Sequence, residues 1–245
     1  MQPRFYRRDM NRERFHFFRT TLFESDLFIG VTRGDFHREM IPSAEEELRR
    51  LRQILTGYAD DHPGFFHSLE PLPFQDHVPE EIGVMLRCGE QTGTGPMSSV
   101  AGLFAERVGL RLLREYNPDE VVVENGGDLF VRNRSDLLSM IHAGSSGLSD
   151  RVALVLTPGI RGVCTSSGTV GHSLSYGCAD AVTVIAESAP LADAWATSLA
   201  NRVTGPEEIE RVLEMAGEIP GILGCAVIAG DRFGIRGQFE VKILS

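Results

Sequence analysis

The chain lacks any run approaching the roughly 20 consecutive apolar residues that a membrane-crossing helix needs. Its beginning lacks the apolar core and cleavage site of a secretory leader, so the expected setting is the cytoplasm. Cysteine is scarce: Cys88, Cys164, Cys178 and Cys225 are the four present, and none forms a CxxC pair. That excludes a zinc ribbon and, in a reducing compartment, a disulfide framework. Positive charge is in deficit, with a formal net charge of -10. An acidic chain repels nucleic acid and anionic membrane. Two common catalytic frames are also missing, the phosphate loop GxxxxGK[ST] and the nucleophile elbow GxSxG.

One stretch runs against the charge balance. Arg4, Arg7, Arg8, Arg12, Arg14 and Arg19 lie among Phe5, Tyr6, Phe15, Phe17 and Phe18. Basic residues interleaved with aromatics can grip single strands. The better-supported reading is a flexible arm over residues 1–13 that runs into a strand with an arginine-bearing face. No nucleic-acid partner is expected.

The 245 residues, 42% of them hydrophobic, suffice for one large core. Alternation over "RFHFFRTTLF" and "SDLFIGVTR" predicts two strands around Glu24–Ser25. Ser43 with Glu46 reads as a capping box opening a helix that Gly57 ends, with Glu45/Arg49 and Glu46/Arg50 as i,i+4 pairs. Residues 60–79 carry Pro63, Pro71, Pro73 and Pro79, which forbid a regular element. His62, His67 and His77 in that segment have no common metal spacing and read as loop residues. Pro79 opens a helix to about Gln91, and Pro96 opens another to Tyr116. "EVVVENGGDLFVR" predicts strand, Asn-Gly-Gly turn, strand. "VALVLTP" and "DAVTVIAES" are further strands, "PLADAWATSLANRV" and "PEEIERVLEMAG" helices, and "GCAVIAGDRFGIRGQFEVKIL" a closing hairpin. Tight turns between strands predict an α+β fold with a mainly antiparallel sheet and packed helices. No linker interrupts it, so residues 1–245 are expected to form a single domain.

Four stretches are candidates for chemistry. The turn around Gly95 precedes a helix start, where backbone N–H groups attract phosphate; an ordinary loop-to-helix turn reads equally from the residues. Asn125, Gly126, Gly127 and Asp128 give a hairpin turn with room for a ligand and a carboxylate beside it, or simply a turn. Asp193 and Thr197, four apart on one helix, present hard oxygen donors of the kind Mg²⁺ prefers, or a first-turn acid and a packed threonine. "GVCTSSGTVGHSLSYGCADAV" holds Thr165, Ser166, Ser167 and Gly168 close to His172. Its glycines and hydroxyls suit a loop that wraps an anion. Cys164, Ser166 or Ser167 with His172 would alternatively make a hydrolase pair.

Taken in order, "GPMSSVAGLFAE", "VVVENGGDLFV", "GVCTSSGTVGHSLSYGCADAVTV" and "ADAWATSLAN" resemble an uncharacterised prokaryotic family related to the ApbE flavin transferases. The resemblance runs from about Leu22 to Val241; to ApbE proper it covers mainly 96–200. ApbE enzymes split FAD with Mg²⁺ and attach the FMN part to a threonine or serine of a target protein. The resemblance implies that Asn125, Gly126, Gly127 and Asp128 lie by the flavin nucleotide. It implies that Thr165, Ser166, Ser167 and Gly168 face its pyrophosphate, that Asp193 and Thr197 bind Mg²⁺, and that His172 is the catalytic acid or base. The implied partners are an FAD- or FMN-type nucleotide and an acceptor protein, with no membrane; a homo-oligomer stays open. The sequence also departs from that pattern. Glu106 and Arg107 stand where ApbE enzymes have lysine and glycine, Thr169 and Val170 replace an acid and a phenol, and "HSLSY" replaces H-x-x-D-P. The alternative implied by these departures is a binding module that has lost transfer chemistry.

Overall fold

The computed structural model describes residues 11–168, 177–237 and 239–244. Eleven strands are present among them: β1 (Phe15–Leu22), β2 (Ser25–Thr32), β3 (Val121–Asn125), β4 (Asp128–Asn133), β5 (Leu137–Met140), β6 (Val152–Leu156), β7 (Gly159–Ser166), β8 (Ala181–Ala186), β9 (Ile222–Ala229), β10 (Arg232–Gly237) and β11 (Glu240–Ile243). Five helices accompany them: α1 (Met40–Asp61), α2 (Glu80–Thr92), α3 (Val100–Tyr116), α4 (Ala189–Ala200) and α5 (Ile209–Gly217). The fold is α+β. An eight-stranded sheet runs β1-β2-β3-β4-β7-β8-β9-β10, and a three-stranded sheet runs β11-β6-β5. The pairings in both sheets are antiparallel.

The central strands are apolar on both faces because both faces are covered. Side chains alternate across a strand. Val121, Val123, Cys164, Val182, Val184 and Val227 point into the core shared with the helices. Val122, Val131, Val163, Ala181, Ile185 and Ile228 point into a second core, shared with Ile141, Val152, Leu154 and Leu156. The eight-stranded sheet is therefore sandwiched between a helical layer and the small sheet.

The β3–β4 hairpin follows its sequence closely. Gly126 and Gly127 take φ of 74° and 109°, the positive values that a two-residue hairpin turn demands and glycine adopts without steric cost. The predicted β1–β2 pair and the helices opened by Pro79 and near Pro190 are present, and the segment expected to be irregular over 60–79 is so only from His62, since α1 runs on through Asp60 and Asp61.

Several local expectations are corrected. Helix α1 begins at Met40, not Ser43. Pro42 sits in its first turn, where a missing N–H costs nothing, and Ser43 Oγ–H donates to Glu115 of α3 instead of capping. Gly57 lies inside α1, which continues to Asp61. Arg50 pairs with Glu47 at 2.6 Å and Glu81 at 2.7 Å rather than Glu46, because α2 offers a second carboxylate. Glu46 turns to Arg111 of α3. Pro96–Ser99 is a 3-10 turn before α3 proper. The closing hairpin loses its last strand to the other sheet, since β11 pairs with β6. Cys178 is exposed, whereas Cys88, Cys164 and Cys225 are buried.

No helix among the described residues is long and apolar enough to cross a membrane. Two of the arginines at the chain's start pair with acids, Arg14 with Glu120 at 2.5 Å and Arg19 with Asp26 at 2.6 Å.

Candidate functional site

Four elements converge at one end of the helical layer, and hydrogen bonds between them fix the convergence. The β3–β4 turn is tied to the start of α3, where Asn125 Nδ2–H donates to Ala101 O at 3.1 Å. The same turn is tied to β7, where Thr165 N–H donates to Asp128 Oδ1 at 3.3 Å. Within the turn, Gly127 N–H donates to Glu124 Oε1 at 2.9 Å. Helix α4 joins α3 because Gly102 N–H donates to Asp193 Oδ2 at 2.9 Å. Asp193 thus lies in the first turn of another helix, where unpaired N–H groups and the dipole favour an anion.

Close packing of small residues allows this. A Cβ at Gly102 would fall 2.3 Å from Ala189 O, and one at Gly162 would fall 2.3 Å from Ala189 Cα. Two glycines, one on α3 and one on β7, therefore let the first residue of α4 settle against both.

The electrostatics are those of crowded carboxylates. Burial pushes the Asp193 carboxyl well above the ordinary aspartate range, and the neighbouring charge of Asp128 pushes it further; N–H groups of Gly102 and Ala101 act the other way. Asp128 is itself buried. Cys164 lies beside both acids. Burial first, then Asp128 and Asp193, raise its thiol well above the usual range, and its Sγ–H donates to Ala189 O at 3.4 Å. A fully buried thiol with its ionisation disfavoured argues against the cysteine-nucleophile reading at this position. Thr165 and Thr183 share a hydroxyl hydrogen bond of 2.8 Å across β7 and β8.

The structure brings Asn125, Asp128, Thr165 and Asp193 together through these contacts, with half-buried Thr197 one turn along α4 from Asp193. At Gly127 a Cβ would meet nothing within 4 Å, so the turn presents open backbone. Gly95 and Gly168 are used differently. The carbonyl of Ser68 closes on Gly95, where a Cβ would fall 1.8 Å from it, and that of Gly177 closes on Gly168, at 2.0 Å. Gly168 N–H donates to Ala179 O at 2.8 Å. His172, the candidate proton donor or acceptor, lies outside the described residues. A shallow surface hollow lined by Ser145, Leu148, Asp180 and Asp231 contains none of the candidate residues.

Sequence reasoning treated Glu106 only as a lost lysine. Its carboxylate accepts the Ala189 N–H, the first of α4, at 2.7 Å. Burial raises its pKa, opposed by that N–H and by Arg107. Arg107 does not neutralise the site by contact; it pairs with Glu80 at 2.6 Å. The signal for Glu106 was its isolation as an acid on the apolar side of α3, 83 positions from its partner.

The donors suit a hard cation. Asp128, buried, and Asp193, half-buried, are like charges held near one another, an arrangement that a cation relieves, and Thr197 adds a third oxygen. Among the described residues no group of three or more histidine, cysteine or acidic side chains forms a metal cluster. Such a cation would therefore keep positions for water or substrate, which is the habit of Mg²⁺.

A family model described as AbpE bacteria matches residues 7–218. A UPF0280 protein of Methanocaldococcus jannaschii is 41% identical over 202 residues, 80% of this chain and 81% of that protein. A UPF0280 protein of Methanopyrus kandleri is 39% identical over 233 residues, 93% of this chain and 92% of its own. Among solved structures, the flavinyl transferase ApbE of Pseudomonas stutzeri in its apo form aligns with a TM-score of 0.57 at 18% identity, covering 91% of this chain and 93% of that one. The ApbE protein of Thermotoga maritima aligns with a TM-score of 0.58 at 14% identity, covering 91% and 97%. At these identities the likeness to the solved structures shows a shared fold.

Proposed function

The chain belongs to the family described as AbpE bacteria, and from that premise we propose that it binds a flavin nucleotide with Mg²⁺ and cleaves it, passing the flavinyl part to an acceptor. The observation that carries this reading is the meeting of two carboxylates from separate elements, buried Asp128 of the hairpin turn and half-buried Asp193 of α4, with Asp128 adding to the cost of ionising Asp193. Groups perturbed by burial together with a specific charged neighbour cluster at functional sites.

Asp193 and Thr197 would hold Mg²⁺ with Asp128 beside them, and the bound ion would neutralise phosphate charge in the leaving group. The chain's own groups do the rest. The open backbone at Gly126 and Gly127 admits the nucleotide closely. Hydroxyls of Thr165, Ser166 and Ser167 donate to phosphate oxygens. Gly95 and Gly168 let neighbouring backbone pack tightly, so that the walls of the site keep their shape. His172 takes the proton of the attacking hydroxyl. In the transfer, the acceptor oxygen bonds to the phosphorus of the FMN half, the bridging P–O bond of FAD breaks, and AMP leaves with the electron pair. The acceptor is a serine or threonine of a protein, or water.

Ligand-dependent melting tests the binding half. A ligand that binds only the folded state stabilises it by about 2.7 kcal/mol at 100 times its Kd. For a chain of this size that is about 5–10 °C in Tm. FAD with Mg²⁺ is expected to raise Tm on that scale, FAD with EDTA much less. No shift under either condition contradicts the proposal. A shift that ignores Mg²⁺ returns the reading to a flavin-binding module.

A further inference from the structure

Helices α3 and α4 exchange carboxylates. On α3, Gly102 donates its N–H to Asp193 Oδ2 at 2.9 Å. On α4, Ala189 donates its N–H to Glu106 Oε2 at 2.7 Å. The donor and the acid are four residues apart on each helix, Gly102 with Glu106 and Ala189 with Asp193. The four residues close a rectangle in which the N–H of residue i on either helix meets the carboxylate of residue i+4 on the other. Both donors lie in first turns, so each acid also faces the positive end of its partner's dipole.

The rectangle fixes the height of α4. Ala189 is held by Glu106 at its N–H, by Cys164 Sγ–H at its carbonyl, and sterically by Gly102 and Gly162. Of these holds, Glu106 supplies the one hydrogen bond to a charged acceptor, the strongest kind available to a backbone N–H. Asp193 and Thr197 lie one and two turns further along the same rigid helix, and they move with its first residue.

We propose that Glu106 is a positioning residue: through Ala189 it sets where α4 places Asp193 and Thr197. The functional part rests on the reading of those two residues as ligands of a divalent cation. Glu106 itself is not assigned as a ligand or a proton carrier, since its carboxylate is engaged by the start of α4.

The test compares Glu106→Gln with Glu106→Ala in the full chain. Glutamine keeps an oxygen that accepts the Ala189 N–H; alanine does not. Two readouts are taken: amide hydrogen exchange over residues 189–193, and binding of Mn²⁺ as a paramagnetic stand-in for Mg²⁺. In Glu106→Ala, exchange in the first turn of α4 is expected to accelerate about 10- to 100-fold, the equivalent of one hydrogen bond to a charged acceptor. Mn²⁺ binding is expected to weaken about tenfold, the size typical for loss of a group that orients a metal ligand. Glu106→Gln is expected to stay within about threefold of the parent in both readouts, since it keeps that acceptor. Parent-like exchange in Glu106→Ala overturns the proposal. So does an equal loss of Mn²⁺ in the two variants, which would make the charge, not the hydrogen bond, the operative feature. If the parent protein binds no Mn²⁺, the cation reading fails by itself, and the exchange comparison still decides whether Glu106 holds α4.

Discussion

Replacing Gly102 with alanine should reverse the usual sign of such a change. In an exposed helix interior, glycine to alanine gains about 1 kcal/mol of stability. At Gly102 the new Cβ would fall 2.3 Å from Ala189 O, 2.6 Å from Ala189 C and 3.0 Å from Asp193 Cβ. The obstacle is backbone, so no side-chain rotation removes it, and α3 and α4 must part. Overpacking of this kind costs about 1–3 kcal/mol. Parting also loosens the Gly102–Asp193 hydrogen bond, worth about 0.5–1.5 kcal/mol. Subtracting the helical gain leaves a net loss of about 0.5–3.5 kcal/mol. The control is Gly57→Ala on α1, where a Cβ would meet nothing within 4 Å; it should gain up to about 1 kcal/mol. Urea denaturation of the two variants beside the parent measures both. A Gly102→Ala protein as stable as the parent would refute the close packing of α3 on α4.

Glu120 should make stability fall in acid. Its carboxylate accepts from Arg14, Arg134 N–H and Ser135 N–H, and Arg14 above all holds its pKa below the ordinary range. A depressed folded pKa stabilises above the unfolded value, about 4.3 for glutamate, and the contribution is lost as pH falls through the folded value. The stability gap between the parent and Glu120→Gln should therefore be widest near neutrality and shrink below about pH 4; a gap independent of pH contradicts the pairing. Arg161 presents the opposite case. Its side chain is buried, its Nε has no partner, and burial lowers its pKa. Replacing an uncompensated buried cation by an apolar chain of similar length is commonly neutral or stabilising. Arg161→Met should therefore leave stability unchanged or gain about 1 kcal/mol in urea denaturation, and a loss above about 1 kcal/mol would show a hidden partner.

The sequence disclosed what is local. The Asn125–Asp128 hairpin was legible because a two-residue turn needs positive φ and two glycines supply it. Helix α4 was legible from its opening proline and the i,i+4 spacing of Asp193 and Thr197. The α+β class followed from strands joined by tight turns. What escaped depends on partners far along the chain. Ser43 imitates a capping residue, but Glu115, 72 positions away, takes its hydroxyl. The last strand reads as part of a hairpin with β9 and β10, yet it pairs with β6, more than 80 positions back along the chain. Glu106 reads as a charge in the wrong place, and only the approach of Ala189 gives it a task. Asp128 and Asp193 each read alone as ordinary acids; their mutual repulsion exists only once β4 and α4 are packed.

Release of AMP from FAD tests the central claim most directly. The purified protein incubated with FAD and Mg²⁺ is expected to release AMP, EDTA to stop it, and Asp193→Ala to abolish it. Thr197→Val is expected to slow the release, and His172→Gln to slow it while leaving the FAD-dependent rise in Tm. Binding of FAD with no AMP formed in the presence of Mg²⁺ and an acceptor, or AMP formed equally well by Asp193→Ala, would contradict the account.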